Sequence, residues 1–112
     1  MARYDITKEA TEDLYHIWEY TVDTWSEEQA DKYYALLEAG MNEVAEAPER
    51  IGKPYNEIYP GLRAYHVRRH RLFYILQDNG RALIVRILHE KMDYMRHFIS
   101  MSFFPVEKQV SL

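Results

Sequence analysis

A chain of 112 residues can build one hydrophobic core but not two of useful size, so a single domain is expected over 1–100, followed by a tail over 101–112. It has no cysteine, which excludes disulfides and thiolate metal sites, and no apolar run or leader approaches the ~18 residues that span a bilayer, so a cytoplasmic protein without membrane contact is expected. The net charge of −4 argues against general nucleic-acid affinity, yet residues 1–60 carry 5 Lys+Arg against 14 Asp+Glu and residues 61–112 carry 9 against 4, which predicts one positive face.

Arg3-Tyr4-Asp5-Ile6 alternates and reads as a brief first strand. Thr7 is placed to cap a helix from about 8 to 24, on which Ala10, Leu14, Ile17, Trp18 and Val22 form one apolar stripe. Ser26-Glu27-Glu28-Gln29 has the form of a capping box. It opens a second helix carrying Ala30, Tyr33, Tyr34, Leu37, Met41, Val44 and Ala45, which Pro48 stops. Gly40 inside it suits a close approach of helices. The short connection predicts an antiparallel helical hairpin.

From Pro48 to Gly61, three prolines and two glycines predict a surface loop. Three strand-like runs follow: Leu62 to Arg68, Leu72 to Leu76, and Ala82 to His89. Asp78-Asn79-Gly80 suits the tight turn between the last two, and the nearly unbroken apolar run Leu83–Leu88 predicts a central strand covered on both faces. Asp93 is positioned to cap a short last helix from Tyr94 to about Ser100. The expected fold is α+β: a small antiparallel sheet with a helical hairpin on one face, in the order β-α-α-β-β-β plus a short C-terminal helix.

Several residues carry chemistry. A guanidinium grips phosphate or carboxylate through two parallel hydrogen bonds, so Arg63 and Arg86 are candidate anion-binding groups. Arg86, flanked by Val85 and Ile87, equally suits a buried pair with an acid from the helices. His89 has the ordinary pKa for acid–base work near neutrality. The run Arg68-Arg69-His70-Arg71 sits at a predicted turn and suits an acidic partner, with the opposite charge raising association rate. His89, Asp93 and His97 have helical metal-ligand spacing, but the strand-to-cap break destroys their alignment, so no metal and no cofactor is expected. Trp18, Trp25, Tyr33, Tyr34 and Leu37 are core by periodicity. Tyr15, Tyr20 and Tyr34, where they turn outward, suit an apolar groove along the hairpin that would receive an amphipathic helix.

This order of elements resembles the RelE/ParE toxin superfamily. The likeness lies in Ala10-Thr11-Glu12-Asp13-Leu14-Tyr15-His16-Ile17-Trp18-Glu19-Tyr20, in Gln29-Ala30-Asp31-Lys32-Tyr33, in Pro60-Gly61-Leu62-Arg63 and in Arg86-Ile87-Leu88-His89-Glu90-Lys91-Met92-Asp93. It spans residues 3 to about 98. The first-helix pattern and the exit from the last strand are the more ParE-like parts. The resemblance implies a type II toxin that inhibits DNA gyrase without catalysis and is neutralised by a cognate ParD-like antitoxin. No sequence-specific nucleic-acid binding is expected of it. It also implies that Arg63 and Arg86 approach one another on the sheet. The target or antitoxin would be met by Arg63, Arg68, Arg69, Arg71, Arg86, Tyr15, Tyr20 and Tyr34. The alternative within the superfamily is a RelE-like, ribosome-dependent mRNA endonuclease using His89, Arg63, Arg86 and Tyr94. A third reading is a non-toxic module that only binds an antitoxin.

Overall fold

Thr7 turns a strand into a helix. Its extended backbone ends β1 (Tyr4–Ile6), and its hydroxyl accepts the Ala10 N–H at 3.0 Å to open α1 (Lys8–Thr24). The same hydroxyl donates to the Val85 carbonyl at 3.0 Å, so the cap is also a bond to the far end of the chain. Residues 4–94 and 98 are described in this computed structural model.

Helix α1 closes where the Trp25 N–H reaches the Thr21 carbonyl. Ser26 then accepts from the Gln29 N–H at 3.0 Å and opens α2 (Glu27–Glu46), giving the expected hairpin with a two-residue turn. Trp25 departs from expectation: it is 72% exposed rather than core. It lies past the last helical residue, with φ −121° and ψ −81°, so the helical period that placed it inward no longer applies.

Among the described residues the sheet has five strands in the order β1-β5-β4-β3-β2, with β2 (Lys53–Pro54), β3 (Arg63–Val67), β4 (His70–Leu76) and β5 (Ala82–His89). Two expectations are corrected here. The meander β3-β4-β5 is antiparallel, but β1 pairs parallel with β5, Tyr4 opposite Ala82, so the sheet is mixed. The outer edge of β5 is the one β1 can reach with Thr7 capping α1 over the sheet, and the odd meander brings β5 past it in the same direction. Part of the predicted loop also pairs, Lys53 with Ala64 and Pro54 with Arg63, at the edge where a proline is tolerated. The short helix predicted from Tyr94 to Ser100 and the tail 101–112 lie outside the described residues, apart from Tyr94 and Phe98.

Both faces of the sheet are covered. Ala10, Leu14, Leu37, Met41 and Val44 of the hairpin bury against Leu72, Tyr74, Ile84 and Ile87. On the opposite face Leu62, Phe73, Val85, Leu88 and Phe98 form a second cluster, lidded by Tyr55, Ile58 and Tyr94. Each such fully buried large side chain stabilises the fold by about 1.5–3 kcal/mol. Gly40 does permit a close approach, but of α2 to the sheet: a Cβ there would lie 2.6 Å from Val67 Cγ2 and 3.2 Å from Leu72 Cδ1.

One irregularity positions the site. Phe73 faces Arg86 and Tyr74 faces Ile84, so Val85 is an extra residue in β5. Past this bulge the alternation slips by one. Ile84 and Ile87 both join the hairpin-side core, Val85 and Leu88 both join the other, and Arg86 is turned under α1. Among the described residues no helix is long and apolar enough to cross a membrane.

Candidate functional site

An open cleft of about 1060 Å³ runs between one flank of the hairpin and the ends of β4 and β5. Its apolar wall is Ile17, Tyr20, Trp25, Leu36 and Met92, and its rim is Arg68, Arg69 and Lys32. His16, His70, Arg86 and His89 complete it. Tyr20, Trp25, Leu36 and Met92 are 68%, 72%, 38% and 41% exposed, so this wall is an apolar surface held open to solvent.

The floor is built around Arg86. Its guanidinium is buried and forks onto Asp13 of α1, Nε to Oδ2 at 2.7 Å and Nη2 to Oδ1 at 2.8 Å. Asp13 Oδ2 also accepts the Ile87 N–H at 2.9 Å, beside the bulge. Arg86 is therefore committed to holding α1 on β5, which is its structural reading.

Beside it lies a polar chain that sequence reasoning missed. The Arg69 N–H donates to the Tyr33 hydroxyl at 3.2 Å, and that hydroxyl shares a 2.7 Å hydrogen bond with His70 Nδ1. Burial pushes the His70 pKa down to about 4, and His89 adds to the effect, so the ring is neutral at pH 7. The His89 ring stands edge-on to it, centroids 5.2 Å apart at 82°. His89 Nδ1 accepts the Lys91 N–H at 3.1 Å, which fixes its proton on Nε2. The signal for His70 was present in the alternation His70, Leu72, Tyr74 on one strand face. Nothing local pointed to Tyr33 as its partner.

The other candidates are dispersed. Arg63 and Arg86 are separated by β4 and take different partners. Arg63 donates to the carbonyls of Ile51 and Gly52 and to the Tyr74 hydroxyl, and does not line the cleft. Arg71 leaves the basic run for the opposite face, where Nη1 donates to the Glu90 carbonyl at 2.9 Å and the guanidinium stands 5.6 Å from the Tyr94 ring centre. Tyr94 packs there on Phe73 and Tyr55, away from His89. Of the four residues named for a nuclease, only His89 and Arg86 share the cleft. The three tyrosines also divide. Tyr20 lines the cleft, whereas Tyr15 and Tyr34 line a second hollow on the other flank of the hairpin.

What remains uncommitted is the turn between β3 and β4. Arg68 is the only non-glycine of positive φ among the described residues, at 54°. An L-residue there costs on the order of 1 kcal/mol, and such strain at a rim is a hint of function. Neither Arg68 nor Arg69 has a side-chain hydrogen bond or ion pair among the described residues, while Arg63, Arg71, Arg81 and Arg86 are all engaged.

Comparisons with known proteins agree with this architecture. The profile of the "ParE toxin of type II toxin-antitoxin system, parDE" family matches residues 4–94. Toxin ParE1 of Mycobacterium tuberculosis (strain ATCC 25618 / H37Rv) is 36% identical over 86% of this chain and 97% of its own length. Toxin ParE of Escherichia coli is 39% identical over 85% of this chain and 91% of its own. A solved structure of a chromosomal ParDE system from P. aeruginosa superposes with a TM-score of 0.67, covering 80% of this chain and 98% of that one at 19% identity, a likeness of fold alone. With a fold, an exposed aromatic and basic cleft, and these matches over nearly all the described residues, the chain belongs to the ParE toxin family of type II toxin–antitoxin systems.

Proposed function

We propose that this toxin works in the cytoplasm by binding rather than by catalysis, inhibiting DNA gyrase, and that a ParD-like antitoxin silences it by laying an acidic amphipathic segment into the cleft. The observation that carries the reading is the pair of uncommitted guanidinium groups, Arg68 and Arg69, at the rim of an exposed aromatic wall. Among the described residues the one acid lining the cleft, Asp13, is consumed by Arg86, so their charge in the cleft is positive although the chain is negative overall. An apolar helix face flanked by carboxylates matches both features, through anchors three and four residues apart. The wall of Ile17, Tyr20, Leu36 and Met92 favours protein over nucleic acid, whose recognition rests mainly on phosphate contacts.

The chemistry of the cleft supports the same reading. Cleaving RNA requires a base, an acid and cations converging on one phosphate. His70 is neutral, His89 is tied through Nδ1, Arg86 is sequestered by Asp13, and Arg63 and Tyr94 face elsewhere. The test is a supercoiling and cleavage assay with purified gyrase and ATP beside a ribosome-bound mRNA control. Lost supercoiling with intact RNA is expected. Cut RNA with unaffected gyrase would reverse the assignment.

A further inference from the structure

The second hollow, of about 440 Å³, shares no lining residue with the cleft. Three aromatic rings, Tyr15, Trp18 and Tyr34, and the carboxylate of Asp31 form it, with Leu14 at its base. Trp18 Nε1–H donates to Asp31 Oδ1 at 3.0 Å, which fixes the carboxylate beside the rings and leaves Oδ2 without a hydrogen bond among the described residues. Tyr15 and Tyr34 are 57% and 40% exposed. The Tyr15 hydroxyl donates to Glu19 Oε2 at 3.1 Å, which ties a second carboxylate to one of the lining rings and enriches that ring electronically. Residues 8–46, which make up the hairpin, hold eleven Asp and Glu against two Lys, so the hairpin as a whole is negative.

We propose that this hollow is a second interaction site, which takes an arginine side chain presented by a protein partner. Ring faces attract cations, and a nearby carboxylate adds charge complementarity. Arginine suits it better than lysine, because a planar guanidinium stacks on a ring while its edge forks onto a carboxylate. The cleft and the hollow thus offer opposite charge on opposite flanks of one hairpin, and the chain is able to hold an acidic and a basic partner at once. The assignment does not depend on what fills the cleft.

The test uses the full chain carrying Trp25→Phe, so that Trp18 is the one remaining tryptophan. Its emission is followed while N-acetyl-arginine amide is added, with the neutral N-acetyl-citrulline amide as the matched control. Saturable binding of the arginine probe is expected, about fivefold tighter than the citrulline probe. Asp31→Asn keeps an oxygen for the Trp18 N–H and loses the charge, and it should weaken arginine binding about fivefold. Tyr34→Ala should weaken it similarly. Arg68→Ala with Arg69→Ala should leave the titration unchanged, which separates this site from the cleft. Equal response to the two probes, an unaffected Asp31→Asn chain, or no saturable change would overturn the proposal.

Discussion

Replacing Asp13 with alanine should cost this fold more than any exposed substitution. The carboxylate holds both Arg86 nitrogens, at 2.7 and 2.8 Å, and the Ile87 N–H at 2.9 Å. The two side chains are only 9% and 14% exposed. Without Asp13, a nearly dry guanidinium and a buried amide lose their acceptor. Breaking a buried pair from one side costs about 3–5 kcal/mol, a large share of the about 5–15 kcal/mol that holds a small domain. With a urea slope of about 1.5 kcal/mol per molar, the unfolding midpoint should fall by about 2–3 M. Circular dichroism during urea titration measures that shift. Replacing both partners, Asp13→Leu with Arg86→Met, removes the need for charge pairing and should recover stability to within about 1–3 kcal/mol of the native chain, the remainder being the Ile87 N–H left without its acceptor. If that double variant also keeps the antitoxin, Arg86 acts through the fold alone. A loss below about 1 kcal/mol for Asp13→Ala, or a double variant no better than the single ones, would refute the reasoning.

Three further outcomes follow from the same structure. Arg68→Gly relieves the positive φ and should stabilise the chain by about 0.5 kcal/mol in urea titration, while weakening an acidic antitoxin segment and flattening the salt dependence of its binding. The pKa of His70 lies near 4 in the fold against 6.5 when exposed, so the unfolded state takes up a proton that the fold refuses as pH falls between those values. Stability should therefore drop by about 2 kcal/mol across that window, allowing for partial solvent contact, as measured by urea midpoints at pH 7 and pH 4 with His70→Asn abolishing this component. Gly40→Ala, which in a free helix would gain about 1 kcal/mol, should instead lose about 1 kcal/mol against Val67, and a thermal melt should show Val67→Ala in the same chain restoring it.

The helices were legible because their signals are local: Thr7 and Ser26 each cap within three residues, and the apolar stripes lie between them. The strand β1 was legible as a strand but not as a parallel partner of β5, since three residues carry no register and their partners lie 78 positions away. The bulge at Val85 was hidden because Leu83–Leu88 is apolar on both faces apart from Arg86, so no alternation existed to show the slip. At the site, Arg68 and Arg69 were readable from their place in a turn. Arg63 and Arg71 were grouped with them, and Tyr94 with His89, Arg63 and Arg86, by charge and chemistry, and strand faces separate what composition groups. The Tyr33–His70 bond joins α2 to β4 and depends on packing that no short stretch encodes.

The pairing of β1 with β5 has a consequence for how the toxin is made. Among the described residues Tyr4 has no sheet neighbour other than β5, and Thr7 and Asp13 find their acceptors and donors at Val85, Arg86 and Ile87. During synthesis the hairpin emerges first and α2 meets its partners on β3 and β4, but Thr7 and Asp13 of the α1 side find theirs only once β5 has left the ribosome. Contacts of such long sequence separation form late, after the chain between them has been closed into a loop. The cleft is bounded by both α1 and β5, so it too comes into being only at that last step. The surface proposed to meet the antitoxin is thus completed late in translation, after most of the chain has been made.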